Sequence, residues 1–202
     1  MRSLIGLQSS ASGCIRYQDE ELSSVLPRVR RETGYLFQNP LYQLVERSVI
    51  TDVMLGLRYQ GLSAAEARQR AEPVLEQLNL RHLARRDPYT LSTGEQRRTV
   101  IAGLLAGGAR TLLLDEPFTG LDYPGACDLI HHLIGLKKSG CTVVVCTHDL
   151  VKIIHHSDHC IVLSQGQLQY QGTAKGLIQK QQADPQGLQL EPVSRESTRI
   201  YP

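Results

Sequence analysis

The stretch Thr111-Leu112-Leu113-Leu114-Asp115-Glu116-Pro117 decides the fold of this chain. An apolar run is followed at once by two adjacent carboxylates, a pattern typical of a buried strand that carries acidic side chains at its carboxyl end. In open α/β sheets, ligands bind outside the carboxyl ends of the strands. The stretch therefore predicts a ligand site at Asp115 and Glu116, although a capped strand end with no ligand explains it equally well.

The residues after this strand alternate between helical and strand patterns. Helical periodicity covers Tyr123–Lys138 and 150–156, and short apolar runs cover Thr142–Cys146 and 160–163. Such alternation predicts a βαβαβ unit with a parallel sheet. Because the run Thr142–Cys146 is β-branched almost throughout and shows no polar alternation, we expect it to be covered on both faces, in the middle of the sheet.

Residues 45–105 differ from the rest, because they show helical periodicity and no strong strand candidate. Ser63-Ala64-Ala65-Glu66 is a capping-box pattern, and apolar residues follow it at helical spacing. Pro73 is expected to kink or break that helix. The predicted fold class is therefore α/β, with a parallel-sheet core that an all-helical insertion interrupts.

These patterns also divide the chain. We expect one domain over residues 1–175, with the helical subdomain at about 45–105. Residues 176–202 are expected to form a polar, loosely ordered tail, because five glutamines fall between Gln179 and Gln189 and prolines follow.

The composition excludes several functional classes. The 202 residues carry 22 basic and 20 acidic side chains for a net charge of +2, which argues against nucleic acid as the main partner. No run approaches the roughly 18 apolar residues of a membrane-spanning helix, and the apolar segment 4–7 is too short for a signal peptide. The five cysteines form no Cys-x-x-Cys pair, so we expect reduced thiols in a cytoplasmic protein. Histidines cluster at 131–132 and 155–159, but the lack of a matching ligand set disfavours a metal site there.

A histidine follows the second predicted strand. Thr147-His148-Asp149 comes directly after Thr142–Cys146. If the strands are parallel, His148 emerges at the same edge of the sheet as Asp115. The alternative is that His148 only caps the next helix.

Two other stretches carry polar residues at structural boundaries. In Leu91-Ser92-Thr93-Gly94-Glu95-Gln96, Ser92 precedes Glu95 by three residues, which closes a capping box. The free amides of that first turn can bind an anion, although a plain helix start explains the pattern too. Tyr35-Leu36-Phe37-Gln38-Asn39-Pro40 predicts a short strand that ends at an amide side chain and a turn.

The order and spacing of these pieces resemble the ATP-binding cassette (ABC) ATPases. In that comparison Phe37-Gln38-Asn39-Pro40 corresponds to the Q-loop and Leu91-Ser92-Thr93-Gly94-Glu95-Gln96 to the signature motif. The Walker B strand corresponds to 112–116, the D-loop to Thr119-Gly120-Leu121-Asp122, and the switch histidine to His148. The resemblance implies a P-loop NTPase-like core with a helical insertion.

The resemblance covers roughly residues 1–175 and is most specific near the Q-loop. Gln38-Asn39-Pro40-Leu41-Tyr42-Gln43-Leu44, followed by Ser48-Val49-Ile50-Thr51-Asp52-Val53, is similar to the energy-coupling-factor and cobalt-import subgroup of ABC importers. In that family, ATPase subunits pair around two nucleotides on the cytoplasmic side of a membrane partner.

The resemblance implies roles for four catalytic and metal-binding residues. Asp115 would hold Mg²⁺, and Glu116 would polarise the attacking water. His148 would contact the γ-phosphate of ATP. Gln38 would sense the metal and the attacking water, while its loop touches the membrane subunit.

The resemblance also implies nucleotide-binding residues on the signature motif and the D-loop. Ser92, Gly94 and Gln96 belong to the motif that contacts the nucleotide of the opposite subunit. Asp122 would help to organise the interface between the subunits. Glu95 departs from the usual pattern and brings a negative charge near the triphosphate.

The expected function is the ATP-binding and hydrolysing subunit of an ABC importer, for a metal ion or a vitamin. Its cofactors would be ATP and Mg²⁺, and its partners a transmembrane subunit and a second ATPase subunit in a homodimer or heterodimer. It would lie on the cytoplasmic face of the cell membrane. A soluble ABC ATPase of repair or translation is a weaker alternative, because neither a second cassette nor a coiled-coil insertion is visible.

The phosphate-binding loop of this family, Gly-x-x-x-x-Gly-Lys-[Ser/Thr], does not occur in the sequence. None of the five lysines follows a glycine: Lys137, Lys138, Lys152, Lys175 and Lys180. Residues 1–7 resemble the helix that follows the loop, so we expect the chain to begin just after the Walker A position. One explanation is a mis-called start codon or a split gene. The other is a truncated, non-catalytic subunit that offers its signature motif in trans.

Overall fold

A computed structural model describes residues 1–10 and 12–183. In that part of the chain the strands are β1 (Arg16–Tyr17), β2 (Glu20–Glu21), β3 (Thr33–Leu36), β4 (Thr111–Asp115), β5 (Thr142–Cys146), β6 (His159–Ser164) and β7 (Gln167–Thr173). The α-helices are α1 (Leu22–Glu32), α2 (Val49–Tyr59), α3 (Ala64–Gln77), α4 (Thr93–Ala106), α5 (Tyr123–Lys138) and α6 (Ala174–Ala183).

The core is a parallel sheet in the order β3-β4-β5, which confirms the predicted α/β class. Leu36 pairs with Leu114, and Asp115 pairs with Cys146, so the three strands end at one edge. The middle strand is β4, and its Leu112 and Leu114 are fully buried. Burial on both faces explains why β4 is a continuous apolar run.

The expectation that β5 lies in the middle of the sheet is wrong. Among the described residues, β5 pairs with β4 alone. Thr142, Val144 and Cys146 are exposed, and Val144 keeps 39% of its surface accessible. A β-branched run indicates a preference for extended backbone, but it does not indicate how many strands lie beside it.

The last predicted strand also differs from the expectation. In the part of the chain that the structure describes, β6 does not pair with the parallel sheet and forms an antiparallel hairpin with β7. Gln165 and Gly166 both have positive φ, the backbone geometry that a two-residue hairpin turn requires. The preceding stretch 150–156 forms two short 3₁₀ turns in place of a regular helix.

The predicted helical region contains α2, α3 and most of α4. The Ser63 capping box is present in both directions at the start of α3. Pro73 does not end the helix, which continues to Gln77. Because Pro73 is exposed, the carbonyl that loses its donor can be hydrated.

Part of the predicted tail is helical. α6 begins at Ala174, and its Leu177 is buried with Val162 of the hairpin. Residues 184–202 lie outside the described part of the chain, and the division of the chain near residue 175 stays a prediction. No helix within the described residues is long and apolar enough to span a membrane.

We predict that His132 on α5 makes the fold acid-sensitive. Burial, together with the positive charge of Arg98, lowers the pKa of His132 to about 4. Between pH 6.5 and pH 4, His132 is protonated in the unfolded chain and neutral in the folded chain. The free energy of unfolding therefore falls as the pH drops towards 4. At pH 5 the loss is about 2 kcal/mol.

His132→Gln should therefore reduce the difference in unfolding free energy between pH 7 and pH 5, as measured by urea denaturation. His82→Gln is the control, because His82 is exposed. An unchanged pH dependence in His132→Gln would refute this assignment.

Candidate functional site

Asp115, the last residue of β4, is held by a tyrosine of the neighbouring strand. The hydroxyl of Tyr35 on β3 donates a hydrogen bond to Asp115 Oδ2 at 2.6 Å. Burial raises the pKa of Tyr35 to about 12, and the bond to Asp115 and its charge act in the same direction. Tyr35 is therefore a fixed donor at neutral pH, and it leaves the second carboxylate oxygen for other partners.

Glu116 is held in a left-handed backbone conformation, with φ of 48°. Its backbone N–H donates to the carbonyl of Cys146 at 2.8 Å, which extends the β4–β5 pairing by one residue. A positive φ outside glycine costs on the order of 1 kcal/mol or more and is often retained at functional sites.

The Glu116 carboxylate collects donors from the residues after β5. It accepts hydrogen bonds from the Thr147 hydroxyl at 3.2 Å and from the His148 backbone N–H at 3.0 Å. His148 Nδ1 lies 2.8 Å from Glu116 Oε1. The His148 side chain is 82% exposed and that of Glu116 only 20% exposed, so the ring reaches from the carboxylate into solvent. We call Tyr35, Asp115, Glu116, Thr147 and His148 the sheet-edge cluster.

Gln38 follows β3 but does not join this cluster. It is exposed, and the two carboxylates are bonded instead to Tyr35, Thr147 and His148. The turn before it is fixed by Gln43, whose amide oxygen accepts from the Phe37 N–H and whose amide nitrogen donates to the Tyr35 carbonyl, each at 2.8 Å. Gln43 thus pins the end of β3.

A second surface lies at the start of α4. Ser92 caps the helix by accepting from the Glu95 N–H at 3.3 Å, and the Glu95 carboxylate accepts from the Ser92 N–H at 2.8 Å. The Glu95 carboxylate therefore lies against the Ser92 backbone N–H at the start of the helix. Gly94 is buried, and a Cβ added there would lie 3.7 Å from Leu121, so the D-loop packs directly on the first helical turn.

The start of α4 and the D-loop together line an open cleft of about 540 Å³. Asp122 forms the other wall and caps α5, because its Oδ1 accepts from the Gly125 N–H at 3.0 Å. A Cβ at Gly125 would lie 2.7 Å from that oxygen, so the cap requires glycine. We call Ser92, Thr93, Gly94, Leu121 and Asp122 the signature surface.

Two arginines tie α4 to the D-loop and to α5. Arg97 is 2% exposed and donates to the Thr119 carbonyl, and burial lowers its pKa. Arg98 forms an ion pair with Asp128 of α5. Neither arginine has a local signal in the sequence, because their partners lie more than twenty positions away along the chain.

Gln96 does not line the cleft, and its role in nucleotide binding stays a prediction. It is buried, and its amide donates to the Pro88 carbonyl at 3.2 Å. The amide nitrogen therefore links the start of α4 to the segment that precedes it.

Each surface suits a different ligand. The first-turn amides of α4 can bind an anion, because they are unpaired within the helix and lie at its positive end. The carboxylates at the sheet edge suit a hard cation such as Mg²⁺, which takes one or two protein carboxylates and completes its shell with phosphate oxygens and water. No group of three or more His, Cys, Asp and Glu side chains in the described part of the chain could hold a metal by itself.

Comparison with known proteins places the chain among transport ATP-binding proteins. The family model described as ABC transporter matches residues 1–119. An energy-coupling factor transporter ATP-binding protein of Methanosphaera stadtmanae is 34% identical over 176 residues, which cover 86% of this chain and 63% of that protein. A protein of the same description from Bacillus cereus is 34% identical over 182 residues, or 87% of this chain and 62% of that protein.

A solved structure agrees with the fold. CbiO1 of Clostridium perfringens, described as part of the ABC transporter complex cbiONQ, superimposes with a TM-score of 0.80 at 28% identity. The match covers 91% of this chain and 77% of that one. Among the first curated relatives, the chain spans 56% to 63% of their length.

We predict that the Tyr35–Asp115 hydrogen bond stabilises the sheet edge. Tyr35→Phe should lower the free energy of unfolding by roughly 1.5–3 kcal/mol, the usual contribution of a hydrogen bond to a charged group. Because the pKa of Tyr35 is raised to about 12, its stabilisation is fully present below pH 10 and is lost as the pH rises towards 12.

The difference between wild type and Tyr35→Phe should therefore be equal at pH 7 and pH 9 in urea denaturation. Tyr59→Phe serves as the control, since Tyr59 is 85% exposed. Equal stability of Tyr35→Phe and wild type at both pH values would contradict the prediction.

Proposed function

Because the chain belongs to the ABC transporter family, we propose that it is the ATP-binding and hydrolysing subunit of an importer of the energy-coupling-factor or cobalt-import type. The observation that carries the proposal is the sheet-edge cluster, in which Asp115, Glu116 and His148 come together from two parallel strands. The names of the relatives support the importer type, since they are energy-coupling factor ATP-binding proteins and a CbiO protein.

In this proposal Glu116 is the residue that activates water. Its carboxylate is fixed by Thr147 and by the His148 backbone, so it can orient the attacking water and accept its proton without first reorganising. Asp115 would hold Mg²⁺ together with the phosphate oxygens, and the Tyr35 hydroxyl keeps its carboxylate in one orientation. The metal, when bound, supplies charge neutralisation between the β- and γ-phosphates.

His148 and Gln38 would complete the site from opposite sides. The His148 ring is exposed yet bonded to Glu116, so it can link that carboxylate to the γ-phosphate. Gln38 lies on an exposed turn, directly after the residues Tyr35 and Phe37 to which the Gln43 amide is hydrogen-bonded. It would reach the metal and the water only once nucleotide is present.

The turn after Gln38 carries exposed apolar residues that could bind a membrane partner. Tyr42 is 79% exposed and Val45 64% exposed, and Leu41 and Tyr89 add further apolar surface. The Tyr89 hydroxyl donates to the Leu44 carbonyl at 2.7 Å, which fixes this surface. Exposed apolar groups in one place favour protein contact, and we propose that a transmembrane subunit docks here, at the cytoplasmic face of the membrane.

The transported substrate in this proposal is a metal ion or a vitamin, which is what the resemblance to the energy-coupling-factor and cobalt-import subgroup implies. Nothing in the chain's own site selects between them, because the sheet-edge cluster and the signature surface suit ATP and Mg²⁺. Selectivity would reside in the membrane partner.

In a second candidate function, the chain hydrolyses no ATP itself. Its signature surface instead contacts the nucleotide that another subunit binds. The observation that favours it is that the cleft of about 540 Å³ is built wholly from residues between Ser92 and Asp128. Ser92, Gly94 and Asp122 would then bind the nucleotide held by a complete cassette. Equilibrium binding of Mg-ATP to the full chain separates the two functions, since only the first requires the chain to bind its own nucleotide.

Glu116→Gln tests the catalytic proposal. With the chain assembled with its second ATP-binding subunit, we expect ATP binding within about threefold of wild type and a turnover at least 100-fold lower, because general-base catalysis contributes on the order of 10²–10⁴. Glu76→Gln is the control, since Glu76 is an exposed carboxylate paired with Arg81. Full retained hydrolysis in Glu116→Gln would remove Glu116 from the base role.

Ser92→Ala tests the signature surface, and Ser63→Ala is a matched control. Both serines form capping boxes at helix starts, so each substitution should cost about 1 kcal/mol of stability. Only Ser92 lines the cleft. We therefore expect Ser92→Ala alone to lower the ATPase rate of the assembled subunits, by tenfold or more, and equal rates in both variants would exclude a nucleotide contact.

A further inference from the structure

Two backbone donors at the start of α4 are already occupied by the capping box. The Ser92 N–H donates to the Glu95 carboxylate at 2.8 Å, and the Glu95 N–H donates to the Ser92 hydroxyl at 3.3 Å. The Glu95 carboxylate also repels a phosphate, because both are negative and both are attracted to the positive end of the helix. A phosphate can therefore take the Ser92 N–H only if the Glu95 carboxylate moves away.

Arg98 offers the Glu95 carboxylate a second partner. It follows Glu95 by three residues on α4 and lines the same cleft. Its side chain is only 9% exposed, and its Nη1 is paired with the Asp128 carboxylate. Within the described residues, the Arg98 Nε–H has no hydrogen-bond partner. A buried donor without an acceptor costs free energy, so this N–H group favours any conformation that brings a carboxylate to it.

The geometry of the helix places this donor within reach of Glu95. Side chains three positions apart are neighbours on one helix face, with Cβ atoms roughly 5–6 Å apart. Long helical side chains also point towards the amino terminus, so Arg98 extends over the turn that contains Glu95. Burial lowers the pKa of the Arg98 guanidinium, and the Glu95 charge acts in the opposite direction. The two side chains therefore already interact in the free chain.

The capping box of α3 provides an internal comparison. There the Ser63 N–H donates to the Glu66 carboxylate at 2.9 Å, and the Glu66 N–H donates to the Ser63 hydroxyl at 3.3 Å. The residue three positions after Glu66 is Gln69, which is exposed. The α3 box thus has the same bonds as the α4 box but no buried guanidinium one turn later. A second partner for the carboxylate is therefore not a general property of capping boxes in this chain.

We propose that the Glu95 carboxylate exchanges between two partners, and that Arg98 is the positioning residue that makes this exchange possible. In the free chain the carboxylate accepts from the Ser92 N–H. When a phosphate enters the cleft, the carboxylate turns to the Arg98 Nε–H and leaves the start of the helix to the phosphate. This inference rests on the proposed nucleotide contact of the signature surface, and it identifies two residues that control that contact.

The exchange is tested by residue-resolved NMR of the full 202-residue chain, with inorganic triphosphate as the probe at constant ionic strength. The backbone amide signals of Ser92 and Glu95 report the binding of phosphate, and the Nε–H signal of Arg98 reports the arrival of a carboxylate. We expect triphosphate to shift all three signals with one dissociation constant. The Arg98 Nε–H signal should move to higher proton frequency, because a charge-assisted hydrogen bond forms there.

Two substitutions separate the parts of the exchange. Glu95→Gln removes the charge but keeps a capping side chain, and we expect it to lower the dissociation constant for triphosphate about fivefold. Arg98→Lys keeps a charge opposite Asp128 but removes the Nε–H, and we expect it to raise that constant about threefold. In the Glu95→Gln background, Arg98→Lys should have no effect, because no carboxylate has to be held. Glu66→Gln in the α3 box is the control and should leave the constant unchanged.

Two results would overturn the exchange and leave the proposed nucleotide contact in place. Equal dissociation constants for wild type and Glu95→Gln would show that the carboxylate does not compete with phosphate. An equal effect of Arg98→Lys in both backgrounds would show that Arg98 acts on the phosphate directly. If Arg98→Lys does not fold, the first comparison and the wild-type Arg98 Nε–H signal still decide. Amide signals of Ser92 and Glu95 that respond in no version would contradict the nucleotide contact itself.

Discussion

The hydrogen-bonded pairing of β4 with β3 on one side and β5 on the other is the constraint on which the sheet-edge cluster depends. It aligns Asp115 with Cys146, and one residue later Glu116 donates its N–H to the Cys146 carbonyl. That bond fixes the residue in a conformation that an isolated chain would rarely adopt. Tyr35 reaches Asp115 for the same reason, because its partner in the register is Leu113, two residues earlier on the same face.

The signature surface depends on a different kind of interaction, the burial of a charged side chain. Arg97 lies almost completely inside the protein and bonds to the Thr119 carbonyl, midway between Glu116 and Asp122. Burial of a guanidinium is costly unless it is hydrogen-bonded, so α4 and the D-loop are expected to keep one relative position. The two surfaces are therefore mechanically connected through the short segment between residues 116 and 122.

Local signals in the sequence predicted part of this arrangement. The capping boxes at Ser63 and Ser92 are determined by residues three positions apart, and both are present. The parallel sheet followed from the alternation of apolar runs and helical stretches. The edge position of β5 did not, because it depends on which strands lie beside it and not on its own residues.

The contacts that sequence analysis missed are all non-local or use an uninformative residue type. Tyr35 meets Asp115 across 80 positions, and Arg98 meets Asp128 across 30. Gln43 fixes the end of β3 through two hydrogen bonds. In the sequence it is an ordinary turn residue, and its residue type does not indicate this role. The hairpin β6–β7 has a local signal in the turn pair Gln165-Gly166, which the βαβαβ interpretation did not use. The pairing of β3 with β4 also has a kinetic consequence. Leu36 and Leu114 meet only after the 77 intervening residues have closed into a loop, and α2, α3 and α4 shorten that loop when they form first, since local helices fold faster than distant strands pair. The carboxylates at the sheet edge are therefore expected to gain their partners late in folding, so a nascent or partly folded chain would present the helical layer of the molecule before the sheet-edge cluster forms.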